Sequence, residues 1–195
     1  MSQAIQIQNL RVRRKEKCIC QLDKLTISKG ERISVQGLNG SGKSTLLRVI
    51  SGLESNYNGE VSIPDSFQPI GFVQQNPFLF RGTVLSNLMY GTRGRSLTKV
   101  SKLANTIADK LDIADLLERR ASNLSGGERR RVALARTMIL SPSLLLLDEP
   151  FADMDQQGLD ATCQYLNSLH DTTILIATPN PLPELPFTPR LFTIK

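Results

Sequence analysis

The chain has 195 residues, 24 lysines and arginines against 18 aspartates and glutamates, and a formal net charge of +6. That length suits one domain, or one domain with a subdomain, burying roughly 70% of the surface its unfolded chain would expose. No apolar run in it approaches the ~20 residues needed to cross a bilayer, and its first residues lack a signal-peptide apolar core, so a soluble cytoplasmic protein is expected. In chain order, residues 5–7 and 19–27 read as strands. Cys18 and Cys20, at the start of the second, would point to the same face of a strand. Neither they nor Cys163 have C-x-x-C or metal-ligand spacing, which favours reduced, structural thiols.

Next comes an apolar run at 33–36, then Gly37-Leu38-Asn39-Gly40-Ser41-Gly42-Lys43-Ser44-Thr45, then a helix-like run at 46–50. The pattern G-x-x-x-x-G-K-S/T between a strand and a helix predicts a phosphate-binding loop. Its glycines let successive N–H groups turn inward on a phosphate, and the following helix adds the positive end of its dipole. Lys43 would reach the β- and γ-phosphates and Ser44 would ligate Mg²⁺, so ATP or GTP is the expected ligand.

Residues 59–63 and 69–73 read as further strands, after which the strand signals stop. Over 82–140 the spacing is helical, as in Leu103, Ile107 and Leu111, with a polar, basic loop expected at 92–101. A second glycine-rich helix start, Leu124-Ser125-Gly126-Gly127-Glu128-Arg129-Arg130-Arg131, opens a helix whose buried face is marked by Val132, Ala135, Met138 and Ile139. One nucleotide rarely needs two N–H cradles from one subunit, so this cradle suits a nucleotide held by a partner. Then Leu144-Leu145-Leu146-Leu147-Asp148-Glu149-Pro150 reads as a buried parallel strand ending in two carboxylates, at the sheet edge where α/β folds place ligands. Strands return at 173–178 and 190–194, and between them Pro179, Pro181, Pro183, Pro186 and Pro189 forbid a continuous helix.

These motifs, in this order, resemble the nucleotide-binding domain of the ATP-binding-cassette family over essentially the whole chain. The resemblance identifies 37–45 as the Walker A loop, Ser125-Gly126-Gly127-Glu128 as the signature, and residues 144–148 as the Walker B strand, with Glu149 the following acid. Ala152-Asp153-Met154-Asp155 matches the D-loop, and the Q-loop glutamine falls on Gln75, with Gln74 as the alternate. It implies an α/β P-loop ATPase fold, with a mixed sheet core, an antiparallel β subdomain and a helical subdomain. The expected division is a single domain over 1–195, with core at 1–81 and 141–195 and helices at 82–140. It further implies ATP and Mg²⁺ as cofactors. Gly37, Asn39, Gly40, Ser41, Gly42, Lys43, Ser44 and Thr45 would bind the nucleotide in one subunit, with Ser125, Gly126 and Gly127 contributed by the other. Ser44, Gln75 and Asp148 would hold the metal; Glu149 would act as the water's general base, assisted by Gln75 and Lys43.

Two departures from the family pattern stand out. The strand at 173–178 runs from Thr178 into Pro179, where the family places a histidine, and His170, the chain's one histidine, lies ahead of that strand. Asn180 is the nearby polar residue that would stand in. Near the N-terminus, where the family stacks adenine on an aromatic, Arg11-Val12-Arg13-Arg14-Lys15 offers only arginine planes. The basic runs at 11–17 and 129–131 read as solvated faces and not as a nucleic-acid surface, since aromatics are not interleaved with them.

The expected function is that of the ATP-hydrolysing subunit of a transporter. It would be peripheral on the inner face of the cell membrane, forming a homodimer around two ATP molecules and working with separate permease subunits. Phe78-Leu79-Phe80 with Val84-Leu85 would form part of a groove for a membrane partner's short helix. The alternative is a degenerate cassette that binds ATP for assembly or regulation and hydrolyses it slowly.

Overall fold

The structure, a computed structural model, describes residues 4–92, 96–179 and 181–194. They form two units, one from the chain up to Gln74, Pro142–Glu149 and the chain from His170 onward, the other from Gln75–Ser141 and Pro150–Leu169.

The first unit carries two sheets. β1 (Ala4–Arg14) and β2 (Lys17–Ser28) pair antiparallel from Ala4↔Ser28 to Arg14↔Lys17, and β4 (Asn58–Ser62) flanks β1, giving the order β2-β1-β4. Buried residues alternate as Ile5 and Ile7, then as Leu10 and Val12; in β2 they are Cys20 and Leu22, then Leu25 and Ile27. The phase changes at Asn9, whose φ of 51° breaks the regular pleat and moves the apolar set from odd to even positions without exposing it. A second irregularity, between Val12 and Arg13, separates the cysteines: Cys20 is buried and Cys18 is exposed.

The second sheet is parallel throughout, in the order β5-β6-β7-β3-β8: β5 (Ile70–Val73), β6 (Leu144–Asp148), β7 (Thr173–Thr178), β3 (Arg32–Gln36) and β8 (Arg190–Thr193). The mixed character expected of the core therefore lies between two sheets, each of one kind. Full burial of Leu144–Leu147 explains their unbroken apolar sequence, since a parallel sheet is covered on both faces. Helix α1 (Lys43–Ile50) contacts β2 as well as β6 and β7, and its Leu46, Leu47, Val49 and Ile50 join both sheets in one core.

The second unit is helical: α2 (Val84–Leu88), α3 (Leu97–Lys110), α4 (Gly126–Met138) and α5 (Gln156–Asn167), with α4 contacting the other three. Of the loop expected at 92–101, residues 93–95 lie outside the described residues, and Leu97 already begins α3. The buried stripe of α3 runs through Val100, Ala104 and Ile107 to Leu111, whereas Leu103 is 36% exposed, at the edge of that stripe. Arg130 and Arg131 depart from the expected solvated face: both are buried, and of the run 129–131 only Arg129 is exposed. Their charges are met by acids from other segments, Asp153 for Arg130 at 2.8 Å and Asp112 for Arg131 at 3.1 Å. Arg131 also donates to the carbonyls of Leu111 and Asp112, placing a cation at the C-terminal end of α3, where the helix dipole favours one.

Candidate functional site

The loop 37–42 leaves the carboxyl end of β3 and enters α1 through Gly42, the N-cap, at φ 98° and ψ 10°. Glycine is required there for two reasons: the left-handed backbone, and the approach of β2, since a Cβ would lie 2.5 Å from the Ile19 carbonyl oxygen. Gly40 is also left-handed (φ 82°), but nothing lies within 4 Å of its Cβ position. Lys43 is 5% exposed, and its Nζ donates to the carbonyls of Gly37 (2.8 Å) and Leu38 (2.9 Å). An ammonium has three N–H donors, so one remains for an anion held by the loop. Ser41 Oγ is buried within the loop without a hydrogen-bond partner, an unspent polar group in the segment expected to hold phosphate.

The candidate acids sit beside that loop. Asp148 pairs with Ala177, and Thr178 with Gln36, so β6, β7 and β3 end together and bring Asp148, Glu149 and the start of the loop to one sheet edge. Asp148 is 5% exposed, and its Oδ1 has no hydrogen-bond partner. Burial pushes its carboxyl up from the ordinary carboxylate range; a hydrogen bond with Ser44 opposes this, Glu149 adds to it, and Lys43 opposes it. A buried carboxylate oxygen without a partner, beside a serine hydroxyl, is the donor set a hard divalent cation takes, so Ser44 and Asp148 fit Mg²⁺. Glu149 is half-buried and left-handed (φ 49°), with its N–H donating to the Ala177 carbonyl at 2.9 Å. A non-glycine residue held there carries strain of about 1–3 kcal/mol, a kind of cost that clusters at functional sites.

Gln74 follows the end of β5 and is exposed; Gln75, the next residue, is exposed too and begins the helical unit. Pro179 follows Thr178 directly, so the position expected to hold histidine adjoins the strand pair that carries the loop. Asn180 lies outside the described residues. His170 is exposed in the turn before β7, as expected. The arginine run forms the tip of the β1–β2 hairpin, where Arg11 faces Asp23 at 3.8 Å and Arg14 faces Glu54 at 3.8 Å. A cavity of about 400 Å³ beside the loop is lined instead by Cys18, Ile19 and Gln21 of β2 with Asn39, Gly40 and Ser41, and by none of these arginines.

In the helical unit, Ser125 is the N-cap of α4. Its Oγ accepts from the Glu128 N–H (3.2 Å), and Glu128 Oε2 accepts from the Ser125 N–H (2.7 Å), closing a capping box. Glutamate at 128 thus organises the cradle. The hydroxyl proton of Ser125 stays available for donation, and the box leaves the N–H groups of Gly126 and Gly127 unused. Gly127 is needed for close approach, because a Cβ there would sit 2.7 Å from the Asp153 carbonyl oxygen.

The aromatic segment departs in part from its expected groove. Phe78 is 71% exposed and Phe78–Phe80 line a cavity of about 570 Å³, but Val84 is fully buried in the helical core. Sequence reasoning missed the residue that holds this segment. Asn87, 1% exposed, accepts from the Phe80 N–H and donates to the carbonyls of Phe80 and Thr83. Arg136 donates to the Phe78 carbonyl at 2.8 Å. The signal that could have found Asn87 is an amide set between Leu85 and Leu88, beside Ser86, in a short helical run. Among the described residues no helix is long and apolar enough to cross a membrane.

Comparison with known proteins points to one family. The family model described as ABC transporter matches residues 21–152. The sulfate/thiosulfate import ATP-binding protein CysA 1 of Rhizobium meliloti (strain 1021) is 42% identical over 164 residues, covering 76% of this chain and 47% of the relative. The molybdenum import ATP-binding protein ModC of Methylococcus capsulatus (strain Bath) is 41% identical over 148 residues, 69% of this chain and 41% of that protein. The chain therefore spans about half the length of the curated relatives it matches. Among solved structures, the ADP conformation of MJ1267, an ATP-binding cassette of an ABC transporter, superposes with a TM-score of 0.75 at 25% identity, covering 93% of this chain and 83% of that one. A bacterial Atm1-family ABC exporter with ATP bound gives 0.77 at 25% identity, over 89% of this chain and 34% of the exporter chain. With the loop of β3, the acids of β6 and the glycine-rich start of α4 all lying inside the matched residues, the chain belongs to the ABC transporter family, as its nucleotide-binding cassette.

Proposed function

We propose that the chain binds and hydrolyses ATP as the energy-coupling subunit of a transporter, closing as a homodimer on two ATP molecules and driving separate membrane subunits from the inner face of the cell membrane. The observation that carries this is the shared sheet edge: β3 delivers the glycine loop, and β6, one strand removed, delivers Asp148 and Glu149.

In this reading the N–H groups of residues 37–45 and the N-terminus of α1 hold the phosphates, and Lys43 adds its remaining donor. Ser44 and Asp148, with Gln75, would hold Mg²⁺, which neutralises charge on the phosphates when bound. Glu149 accepts a proton from the attacking water, whose oxygen bonds to the γ-phosphorus as the bond to the β,γ-bridging oxygen breaks, giving ADP and inorganic phosphate. Little covalent chemistry is asked of the protein; position and charge stabilisation suffice. Ser125, Gly126 and Gly127 of each subunit meet the γ-phosphate bound by the other, an isologous two-fold contact, and hydrolysis releases it.

The exposed Phe78 and the cavity it lines are the proposed seat for a short helix of the membrane partner. Import is the favoured direction, since the curated relatives are named as import ATP-binding proteins. Those names lend no support to a cassette that only binds ATP.

The deciding experiment is Glu149→Gln. General-base catalysis is worth about 10²- to 10⁴-fold, so phosphate release should fall at least ~10²-fold while ATP binding persists, and the variant should run as a dimer on a sizing column with ATP. Turnover at the wild-type rate in this variant would sink the assignment.

A further inference from the structure

An anion of the chain's own stands beside the second cradle, without using its N–H groups. A Cβ on Gly126 would lie 3.2 Å from Asp153 Cβ, 3.3 Å from its Oδ2 and 3.4 Å from Arg130 Nη1, so a carboxylate and a guanidinium both rest against the first glycine of α4. The two are ion-paired at 2.8 Å. Asp153 reaches this place from the turn before α5 with a left-handed backbone, φ 56°. The N-terminus of a helix favours a negative group, which is why the carboxylate settles there.

The partners differ sharply in exposure. The Arg130 side chain is 9% exposed and that of Asp153 is 70% exposed. Arg130 Nε is buried with no hydrogen-bond partner, so the guanidinium keeps a donor in reserve. Arg130, Gly126 and Asp153 line one side of the 570 Å³ cavity.

We propose that Arg130 and Asp153 form a charge gate on this cradle: Asp153 blocks it with a stand-in anion, and Arg130 passes from Asp153 to the γ-phosphate of the ATP brought by a second copy of the chain. This rests on the reading that residues 125–127 receive the partner's nucleotide. A phosphate on the N–H groups of Gly126 and Gly127 would lie beside the Asp153 carboxylate, and two anions so close repel, so the carboxylate must move away as the phosphate arrives. The exposed carboxylate leaves, because it is rehydrated at little cost. The buried guanidinium stays, because leaving would strand it, and a phosphate offers oxygens in the fork geometry that an arginine matches. The gate keeps the cradle shut against stray anions and ties its opening to a ligand carrying more charge than a carboxylate.

The test uses the full chain with Glu149→Gln, so that ATP is not consumed, and reads the Mg²⁺-ATP concentration at half-maximal dimer by sedimentation. Removing one charge about 5 Å from a phosphate in a partly solvated site is expected to move that concentration about tenfold. Asp153→Asn should lower it about tenfold, and Arg130→Met should raise it at least as much. A merely structural ion pair predicts the same direction for both, since both break it, and that result overturns the proposal, as does an Asp153→Asn variant that dimerises no more readily than its parent. If Arg130→Met does not fold, as judged by its melting curve, Arg130→Lys replaces it; it should weaken dimerisation several-fold, and no change would count against the gate. If the parent binds ATP yet forms no dimer, the clasp itself fails and the gate with it. A dimerising parent with insensitive variants refutes the gate alone.

Discussion

Two glycines of the phosphate loop separate a conformational requirement from a steric one. Gly40 and Gly42 are both left-handed, at φ 82° and 98°, yet a methyl group on Gly40 meets nothing within 4 Å, whereas one on Gly42 meets Ile19 O at 2.5 Å and Cys20 Cα and Cβ at 2.8 Å. Alanine costs roughly 1–2 kcal/mol at either position for the left-handed backbone. At Gly42 the overpacking against β2 adds about 1–3 kcal/mol, for about 2–5 kcal/mol in all. For a chain of this size 1 kcal/mol moves Tm by about 2–4 °C. Gly40→Ala should thus melt about 2–8 °C below wild type and Gly42→Ala about 4–20 °C below, both followed by circular dichroism without nucleotide. Two of the three contacted atoms are main chain of β2, so the clash is relieved only by moving the loop, and Lys43, the next residue, moves with it. ATP affinity of Gly42→Ala should therefore fall more than tenfold, measured by titration with a fluorescent ATP analogue. Equal melting temperatures for the two variants would refute the steric reasoning, and unaltered ATP binding by Gly42→Ala would refute the link to Lys43.

Ser125→Arg, placed in the second cradle, should abolish ATP-dependent dimerisation and hydrolysis; loss of ATP binding by the monomer would instead put Ser125 in the cis site. Pro179 lacks a donor where the strand edge meets the phosphate loop, and one such donor is worth about 10²- to 10³-fold, so Pro179→His should raise steady-state phosphate release at least several-fold. A fast wild type that slows on Asn180→Ala would show that Asn180 already fills the role. Burial pushes the thiols of Cys20 and Cys163 up to about 11, with smaller contributions from Cys18 and Asp160 respectively. An ordinary thiol has a pKa of about 8.5, so at pH 8 these two hold about two orders of magnitude less thiolate, and their alkylation should rise about tenfold per pH unit up to about pH 11. Iodoacetamide followed by peptide mass spectrometry should find exposed Cys18 modified first; equal rates at pH 8 would contradict the burial.

Local chemistry made much of this protein legible before any coordinates. The phosphate loop is a short-range object: glycines, a lysine and a serine at fixed spacing between a strand and a helix can be recognised without knowing what surrounds them. The buried strand Leu144–Asp148 and its terminal acids are readable for the same reason, and both landed on one sheet edge. What the sequence could not supply is the choice of distant partner. Nothing within a few residues of Arg130 or Arg131 announces that Asp153 and Asp112 will neutralise them, so a run of three arginines read as a solvated face although two of the three are buried. The phase change at Asn9 is of the same kind, since the irregularity there exists only relative to β4, the strand that pairs with β1 on its other side. Periodicity found the helices but named Leu103 in α3, where the buried stripe of the folded chain runs through Val100 and Ala104, because which of several apolar residues turns inward depends on the helix it meets. Hydrophobic spacing and turn chemistry act over a few residues and are encoded where they act; ion pairs, capping across segments and strand register are settled by residues tens of positions apart, and only the folded chain brings those together.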